Sequence, residues 1–374
     1  MISKITLENF SAFEDVSLSC SSQINVIVGE NSSGKTQILK AAYLLGKASD
    51  LKRQGKSESQ ISAQIKSSLL GLFKPRNRKL GGVVNRNFPQ SSRIAIDDAY
   101  GVTNEIKIEN NKSTETVNIL NDGFDVEAGV LIPTKEVLTL LPALESKVVD
   151  EKQLRALFDE TVVDLCLALL KKELLDEKKL LNQDQRLGGV LKLLCENIKG
   201  KYRYKGSDHH FVAGDYQEYS KKPGEFWFKP IPDSELSTTM TAEGYRKIAT
   251  IQQLILNGRI NNSSKSPLYW DEPESNLNPK LMKMIVESLL EISRNGKQVF
   301  VATHDYALLK WFDLLANKDV KHGDSIRYHL LKKDSESQKI LYEYSDDYSL
   351  ISKSSISDTY AEIYDADVER ALAI

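Results

Sequence analysis

Residues 29–36 constrain the fold of this chain more than any other segment. They read Gly-Glu-Asn-Ser-Ser-Gly-Lys-Thr and match the pattern G-x-x-x-x-G-K-[ST]. The apolar run Ile24–Val28 before them is typical of a strand buried on both faces, and apolar residues at helical spacing follow from about Lys35. Such a strand, loop and helix start form a cradle in which backbone N–H groups face phosphate oxygens. The segment therefore predicts an α/β fold with a nucleotide site.

The chemistry of this loop predicts roles for its residues. Lys35 is expected to reach the β- and γ-phosphates, and Thr36 is expected to ligate Mg²⁺. The cofactors indicated are therefore ATP and Mg²⁺. The other loop residues expected to bind the phosphates are Asn31, Ser32, Ser33 and Gly34. The alternative is a chance match, which the position between a strand and a helix argues against.

An acidic motif follows a later apolar strand. Leu268–Trp270 leads into Asp271-Glu272-Pro273. In a site that binds Mg-ATP, Asp271 is placed to hold the metal ion through water, and Glu272 is placed to polarise the attacking water as a general base. The alternative is a surface turn in which the two acids and the proline only end the strand.

A histidine ends a third buried strand. Val299–Ala302 leads through Thr303 to His304. A neutral imidazole at this place could hydrogen-bond the γ-phosphate and position the water, which makes His304 a second catalytic candidate beside Glu272. The alternative is a loop histidine satisfied by its neighbours. The other histidines and the three cysteines show no metal-ligand spacing, which argues against zinc.

The order of these motifs resembles that of ABC-type ATPase heads. The phosphate loop, strand-Asp-Glu-Pro, Ser275–Pro279 and strand-Thr-His follow one another as in the branch with chromosome-maintenance, recombination-repair and overcoming-lysogenisation-defect ATPases. The opening Ile5–Phe13 also looks like the first strand of that branch. The resemblance implies an α/β head with a mixed, mostly parallel sheet flanked by helices, an antiparallel β subdomain and a helical insertion.

The same resemblance implies a signature helix that caps the ATP bound to a second copy. The candidate is Thr241–Lys247, in which Gly244 would contact the nucleotide. Ala242 stands where the family has a serine, so the usual hydroxyl is missing unless Thr241 supplies it. The alternative is an ordinary threonine N-cap before a helix. The family's glutamine lid has no clear counterpart, because Leu131–Glu136 occupies that region without a glutamine.

Patterning divides the chain into three predicted parts. These are an N-terminal ATPase lobe over 1–136, a helical insertion over 137–200 and a C-terminal ATPase lobe over 201–374. In the insertion, apolar residues at helical spacing over 154–169 and 187–198 predict a helical hairpin. An uncovered part of its apolar face would be a docking surface, where charge reversal at Lys171 and Lys172 is expected to reduce partner binding. The alternative is burial of that face against the second helix.

Composition sets limits on partners and location. The 374 residues carry a formal net charge of −2, which gives no global attraction to nucleic acid or anionic membrane. No stretch approaches the roughly 18 apolar residues of a membrane span, and no signal peptide is visible, so we expect a cytoplasmic protein without membrane contact. From Ile61 to Ile96 the chain has seven basic residues and no acid. This stretch could bind DNA phosphates, or it could be a solvated loop.

Three functional hypotheses follow. The chain resembles stand-alone ATPase subunits of bacterial anti-phage systems such as Septu and retron loci. That resemblance implies an ATP-driven switch, a dimer or larger homo-oligomer closed on ATP, which controls an effector such as a nuclease or toxin. The second hypothesis is a DNA-repair or chromosome-maintenance ATPase that acts on DNA through the basic stretch 61–96. The third, the ATPase subunit of an importer, fits the large irregular middle of the chain less well.

Overall fold

A computed structural model describes residues 1–87, 91–110, 115–121, 123–170, 175–205, 208–263, 265–319, 322–337, 339–351 and 355–372. Within these residues the chain forms fourteen strands and twelve α-helices. The strands are β1 (Ile2–Phe10), β2 (Phe13–Ser19), β3 (Ile24–Gly29), β4 (Ser91–Asp98), β5 (Thr103–Asn110), β6 (Glu115–Asn121), β7 (Val130–Ile132), β8 (Gly200–Lys205), β9 (Asp208–Tyr219), β10 (Lys222–Ser237), β11 (Leu268–Asp271), β12 (Val299–Thr303), β13 (Ile326–Lys333) and β14 (Ile340–Ser345).

The helices surround these strands. They are α1 (Lys35–Arg53), α2 (Glu58–Phe73), α3 (Leu141–Glu145), α4 (Glu151–Leu157), α5 (Glu160–Leu169), α6 (Glu177–Gln183), α7 (Gln185–Ile198), α8 (Glu243–Leu256), α9 (Pro279–Arg294), α10 (Tyr306–Leu315), α11 (Tyr348–Ile351) and α12 (Ser355–Leu372). No helix in the described part of the chain is long and apolar enough to cross a membrane.

Six strands form the central sheet, in the order β14-β13-β3-β12-β11-β7. Five of them run parallel, and β14 joins one edge in the antiparallel sense. Alternate residues of β3 enter different cores, because Val26 and Val28 pack with α8 and α9 while Ile27 packs with α1. Helices therefore cover both faces of the sheet, which explains why β3 and β12 are buried throughout and mostly apolar. The predicted α/β head with a mixed, mostly parallel sheet is confirmed.

A five-stranded sheet in the order β2-β1-β4-β5-β6 forms the antiparallel subdomain. Its apolar face shares one core with α1 and α2. The ring of Phe10, at the end of β1, meets Phe73 of α2 edge-on with ring centres 5.1 Å apart. This packing fixes the β1–β2 turn beside the end of α2.

The segment between Leu154 and Leu169 departs from the single helix that its spacing predicts. α4 ends at Leu157, and Phe158 has an extended backbone with φ −111° and ψ 161°. Asp159 Oδ1 accepts hydrogen bonds from the N–H groups of Thr161 at 2.9 Å and Val162 at 3.4 Å, and so caps a new helix, α5. An aspartate that can cap a helix breaks a pattern that apolar spacing alone would continue.

The apolar faces of this helical region are covered mainly by the rest of the molecule. α5 packs against α2, α8 and β7, while α7 packs against α6, α8 and α9. The predicted hairpin, in which the two main helices bury each other, is therefore not the main packing. Lys171 and Lys172, which were expected to mark a docking edge, lie outside the described residues.

Parallel strands in the central sheet end at one common edge. β3 ends at the phosphate loop, β11 ends at Asp271, β12 ends at Thr303, and β7 ends just before Pro133. Because all four run in the same direction, the sheet gathers segments that are far apart in the sequence. This edge holds the candidate functional site.

Candidate functional site

The loop between β3 and α1 is curled tightly. Ser32 and Gly34 have φ values of 66° and 96°, so the backbone passes through the left-handed region twice. A Cβ atom on Gly34 would lie 2.4 Å from the ring of Phe13, and one on Gly29 would lie 2.6 Å from Ser33 Oγ. Close packing therefore favours glycine at both positions of the phosphate-loop pattern, and at Gly34 the positive φ favours it as well.

Lys35 is held against this loop. Its Nζ donates to the carbonyl oxygens of Gly29 at 2.7 Å and Glu30 at 2.9 Å. The residue is only 5% exposed. Burial lowers the pKa of Lys35, while the nearby carboxylates of Glu272 and Asp271 oppose that shift. The ammonium group is thus placed in the loop with two carboxylates near it.

Thr36 and Asp271 meet although 235 residues separate them in the sequence. Thr36 Oγ1 donates to both carboxylate oxygens of Asp271 at 2.9 Å. Thr134, which the sequence analysis did not single out, donates its hydroxyl to Asp271 Oδ2 at 3.2 Å. Burial raises the pKa of Asp271, although the hydrogen bond from Thr36 opposes that rise.

These groups fit a magnesium ion that arrives with a nucleotide. Hydroxyl and carboxylate oxygens are ligands that Mg²⁺ prefers, and Mg²⁺ commonly takes its remaining ligands from phosphate and water. The described residues hold no cluster of three His, Cys, Asp or Glu side chains that could bind a metal ion unaided. Beside the loop, Ser33 Oγ and Gln37 Oε1 are buried without a hydrogen-bond partner among the described residues. Both atoms are free to bind a polar ligand at the loop.

Glu272 follows Asp271 and faces His304. Its backbone has φ 48°, and its N–H donates to the carbonyl of Ala302 at 2.8 Å, which fixes the end of β11 to β12. Glu272 Oε1 lies 3.2 Å from His304 Nδ1. The structure therefore brings both sequence-predicted catalytic residues together next to Asp271.

Glu274 is a second acid at this place that the sequence analysis missed. Its Oε1 accepts hydrogen bonds from Thr303 Oγ1 at 2.7 Å and from the His304 N–H at 3.2 Å. Its Oε2 is buried without a partner among the described residues. Burial raises the pKa of Glu274, although the hydrogen bond from Thr303 opposes that rise. This carboxyl group fixes the loop that carries His304.

The predicted signature segment starts α8 without a side-chain cap. Ala242 is the N-cap residue and provides no capping hydrogen bond. The hydroxyl of Thr241 donates instead to the carbonyl of Thr238 at 2.8 Å, so the ordinary threonine N-cap that was the alternative is wrong. Gly244 is buried in the first turn, where an added Cβ would lie 3.1 Å from Leu277 Cδ2. The start of α8 therefore lies against the 276–277 segment.

Two charged side chains of α8 bind the start of this helix to other parts of the site. Lys247 Nζ donates to both the carbonyl and the hydroxyl of Ser275 at 2.6 Å. Arg246 Nε donates to Glu136 Oε2 at 3.0 Å. The signature segment is thus attached to the loop after Glu272 and to the segment after β7.

The basic stretch is only partly available for binding. Arg93 is paired with Glu8 at 2.7 Å and Glu105 at 2.6 Å. Arg76 and Arg86 are exposed and line a cavity of about 670 Å³ that also includes Ser32 of the phosphate loop. Arg78 and Lys79 are exposed as well. Part of the stretch therefore lies beside the candidate nucleotide site.

The fold and this arrangement define a class of protein. A phosphate loop after one parallel strand, a carboxylate pair after another, a histidine after a third and an adjoining antiparallel sheet are the features of an ABC-type P-loop ATPase. The chain belongs to the family described as "AAA ATPase domain", whose model matches residues 1–199, more than half of its length. A second model, described as "AAA domain, putative AbiEii toxin, Type IV TA system", matches residues 260–310. The protein is therefore an ATPase.

Curated relatives match shorter parts of the chain. The DNA replication and repair protein RecF of Bacillus cytotoxicus is 47% identical over 47 residues, which is 13% of each chain. RecF of Agathobacter rectalis is 27% identical over 135 residues, 33% of this chain and 35% of that protein. The chain thus matches only about a third or less of these relatives' length. A solved SMC head, bound to the C-winged helix domain of ScpA, is 12% identical with a TM-score of 0.50 over 94% of this chain and 99% of that one, and it supports the fold alone.

Proposed function

We propose that this protein binds Mg-ATP at the carboxyl edge of its central sheet and hydrolyses it with Glu272 as the general base. The contact of Thr36 with both oxygens of Asp271, at 2.9 Å, is the observation that carries the proposal. This contact joins the start of α1 to the end of β11. Glu272 is the residue after Asp271, so it lies beside the site of the metal ion and the nucleotide. Thr36 and Asp271 would hold the metal ion, which would supply positive charge to neutralise the phosphates during hydrolysis.

The remaining residues bind and orient the substrate. Lys35 and the backbone N–H groups of residues 31–34 bind the phosphates, since the loop and the start of α1 both attract anions. Glu272 accepts a proton from the attacking water. His304 turns Nδ1 toward Glu272 at 3.2 Å, which leaves Nε2 to contact that water or the γ-phosphate. Glu274 is a positioning residue, because it fixes the backbone of His304.

Glu272→Gln tests the assigned base. The amide keeps the size of the side chain and can hydrogen-bond water, but it cannot take a proton, so turnover is expected to fall about 10²- to 10³-fold. The affinity for Mg-ATP, measured by calorimetry, should stay within about threefold of wild type, because the phosphate and metal ligands remain. Glu287→Gln on α9 is the matched control and should hydrolyse ATP normally. Wild-type turnover in the Glu272 variant would remove Glu272 from catalysis.

The proposal extends to a switch, in which ATP binding and hydrolysis change the association of two copies. Two copies would close on two ATP molecules, with the phosphate loop of one copy facing the start of α8, including Gly244, of the other. Hydrolysis would then open the pair. The exposed Ala242 at the start of α8 and the attachment of Lys247 to Ser275, next to the catalytic loop, support a signature helix that responds to the nucleotide.

The output of the switch is control of a partner effector, such as a nuclease or toxin, in bacterial anti-phage defence within the cytoplasm. The motif resemblance supports this role, as does the match of residues 260–310 to a family described with a putative toxin. The test is co-expression of the Glu272→Gln variant with the product of each neighbouring gene. One product should co-purify in a nucleotide-dependent manner and protect cells from phage together with this chain. Equal phage plating with and without the pair would contradict the defence role.

Direct action on DNA is a second candidate function. The name of the RecF relatives and the exposed cations Arg76, Arg78 and Lys79 favour it. Replacing these three residues by Ala should weaken DNA binding and lower its salt slope by about one per lost phosphate contact. A control variant replaces the exposed residues Lys221, Lys222 and Lys229 on the β9–β10 hairpin. Absence of DNA binding by the wild type at low salt would contradict this candidate.

A further inference from the structure

The last described helix, α12, exposes an apolar stripe. Five large apolar side chains lie at helical spacing on it, and their exposed fractions run from 37% to 81%. They are Tyr360, Ile363, Tyr364, Val368 and Leu372. A helix of 18 residues is marginal in water unless its apolar face is covered. The stripe is therefore a surface that needs a partner.

One aromatic contact fixes α12 next to the nucleotide site. The ring of Tyr360 stacks on Tyr306 of α10 with ring centres 4.7 Å apart. Tyr306 lies two residues after His304, the catalytic candidate. Beside this contact runs a groove of about 840 Å³, lined by Tyr306 and by apolar and charged residues of α12 that include Tyr364, Asp367 and Arg370. The open stripe thus begins at the edge of the site across which two copies would close.

The charge of α12 indicates what can cover it. Residues 355–372 contain five acidic residues and one arginine, a formal net charge of −4. Glu362, Asp365 and Glu369 are exposed and form no ion pair with any described residue. A covering surface should therefore be cationic. Guanidinium groups suit it best, because they can also stack on exposed tyrosine rings.

The same chain carries a surface with these properties. Arg76, Arg78, Lys79 and Arg86 are exposed, they form no ion pair with any described residue, and the surrounding stretch has no acid. Arg76 and Arg86 share a cavity with Ser32 of the phosphate loop. Glu14 also lines this cavity, but it pairs with Lys339 at 2.7 Å. The cationic surface and the apolar stripe therefore both border the nucleotide site, and neither these four cations nor the three exposed acids of α12 form an ion pair within the described residues of their own copy.

We propose that α12 of one copy docks on the exposed cations at residues 76–86 of a second copy when the two copies close on ATP. Tyr360 and Tyr364 pack against the arginine side chains, and the acids of α12 pair with them. This docking rests on the proposed two-copy switch and adds a second contact to it. It occurs twice in a symmetric pair, because each copy has both surfaces.

A charge exchange tests the docking in the Glu272→Gln background with Mg-ATP. Glu362→Lys together with Asp365→Lys should raise the dissociation constant of the pair about tenfold, because two attractions become repulsions. Arg76→Glu together with Arg78→Glu should do the same. All four changes in one chain should restore the dissociation constant to within about threefold of the Glu272→Gln parent.

The outcomes separate this proposal from the function on which it rests. If the parent fails to associate with ATP, the two-copy switch and the docking are both wrong. If the parent associates and the acid reversals change nothing, only the docking is wrong. If both reversals weaken the pair and the combination weakens it further, the two surfaces do not meet. Loss of a co-expressed effector with unchanged self-association would assign the stripe to that effector instead and overturn the docking.

A cross-linking measurement checks the contact in space. Tyr364→Cys in one copy and Arg78→Cys in another should give a mixed cross-linked pair with a short thiol reagent in Mg-ATP and not in ADP. Gln217→Cys on β9, mixed with the Arg78 variant, is the control for random collision. A yield equal to that control would contradict the docking.

Discussion

At the scale of single residues, the charge that Asp271 needs for its function lowers the stability of the folded state. Its carboxylate is buried, and burial raises its pKa, yet it must be charged to hold a metal ion. Asp271→Asn should keep the hydrogen bonds of Thr36 and Thr134, since an amide oxygen accepts and hydroxyls can accept from its N–H. Stability without nucleotide should rise by about 1 kcal/mol, or about 2 °C in Tm, while Mg-dependent hydrolysis falls at least about a hundredfold.

The difference in stability between the Asp271→Asn variant and the wild type should depend on pH in a definite direction. The folded pKa of Asp271 lies above the ordinary value of 3.8, so between the two values the folded state binds more protons than the unfolded state. Wild-type stability therefore falls as pH rises through this window, and the Asn variant lacks this contribution. The advantage of the variant should be largest above the folded pKa of Asp271 and shrink as the pH falls through that pKa toward the ordinary value of 3.8. An advantage that grows at low pH in thermal melts would contradict the account.

The roles of site residues could be predicted where those residues lie in a short sequence motif. Lys35, Thr36, Asp271, Glu272 and His304 each stand in a short motif at the end of an apolar strand, and the structure gathers all five at one edge of the sheet. Two further contributors were missed. One is Thr134, in the segment after β7, which donates a second hydroxyl to Asp271. The other is Glu274, which fixes the His304 loop and follows Pro273, outside the motif of Asp271 and Glu272. The roles of these two residues depend on contacts between strands that are far apart in the sequence, and no local pattern contains such contacts.

At the scale of elements, charged side chains join α1, which starts in the phosphate loop, to α5. Lys47 on α1 pairs with Glu160 and, at 2.7 Å, with Asp164 on α5. Burial disfavours the charge of Lys47, but the two carboxylates outweigh it and raise its pKa. Tyr43, one turn earlier, donates to the same Asp164 at 2.9 Å. This contact gives the phosphate loop a firm connection to the helical region.

Lys47→Met should lower the free energy of unfolding by about 3 kcal/mol, because it leaves two mostly buried carboxylates with only the more distant Arg155, at 3.5 Å from Glu160 and 3.7 Å from Asp164. Chemical denaturation measures the change. Adding Glu160→Gln to Lys47→Met should recover at least half of the loss, since one uncompensated charge is then removed. Lys280→Met on α9 is the control, because Lys280 is exposed and forms no ion pair with any described residue. Equal losses in the Lys47 and Lys280 variants would show that the contact with α5 does not stabilise the fold.

Elements with strong apolar periodicity were predicted closely, and weaker ones were not. Apolar residues at helical spacing predict helices over 242–257 and 279–294, and the structure has α8 and α9 there. Residues 49–93 are polar and interrupted by Gly and Pro, so their composition does not predict α2, although Ser57 and Gln60 form a capping box at its start. The residues after β14 have the composition of a polar tail, because half of the residues of α12 are polar and its apolar stripe is exposed.

At the scale of the whole molecule, the topology of the sheet assembles the site. Five parallel strands from both halves of the chain end at one edge, so a loop at residue 29 and an acid at residue 271 become neighbours. The sequence predicted the class of fold and this convergence, because apolar runs followed by chemistry-bearing residues imply parallel strands. The packing of the helical region could not be predicted, since its apolar residues do not specify which surface they cover.

The central claim is that two copies close on ATP through the start of α8. The most direct test is the mass of the Glu272→Gln variant by light scattering after size exclusion. Ala242→Ser and Ala242→Asp are matched additions, because both side chains can cap α8, but only Asp places a negative charge where the second copy's γ-phosphate would lie. The account predicts the mass of a pair with Mg-ATP for the parent and the Ser variant, and the mass of one copy with ADP or with Asp at 242. A mass that is the same with ATP, with ADP and in all three variants would contradict it.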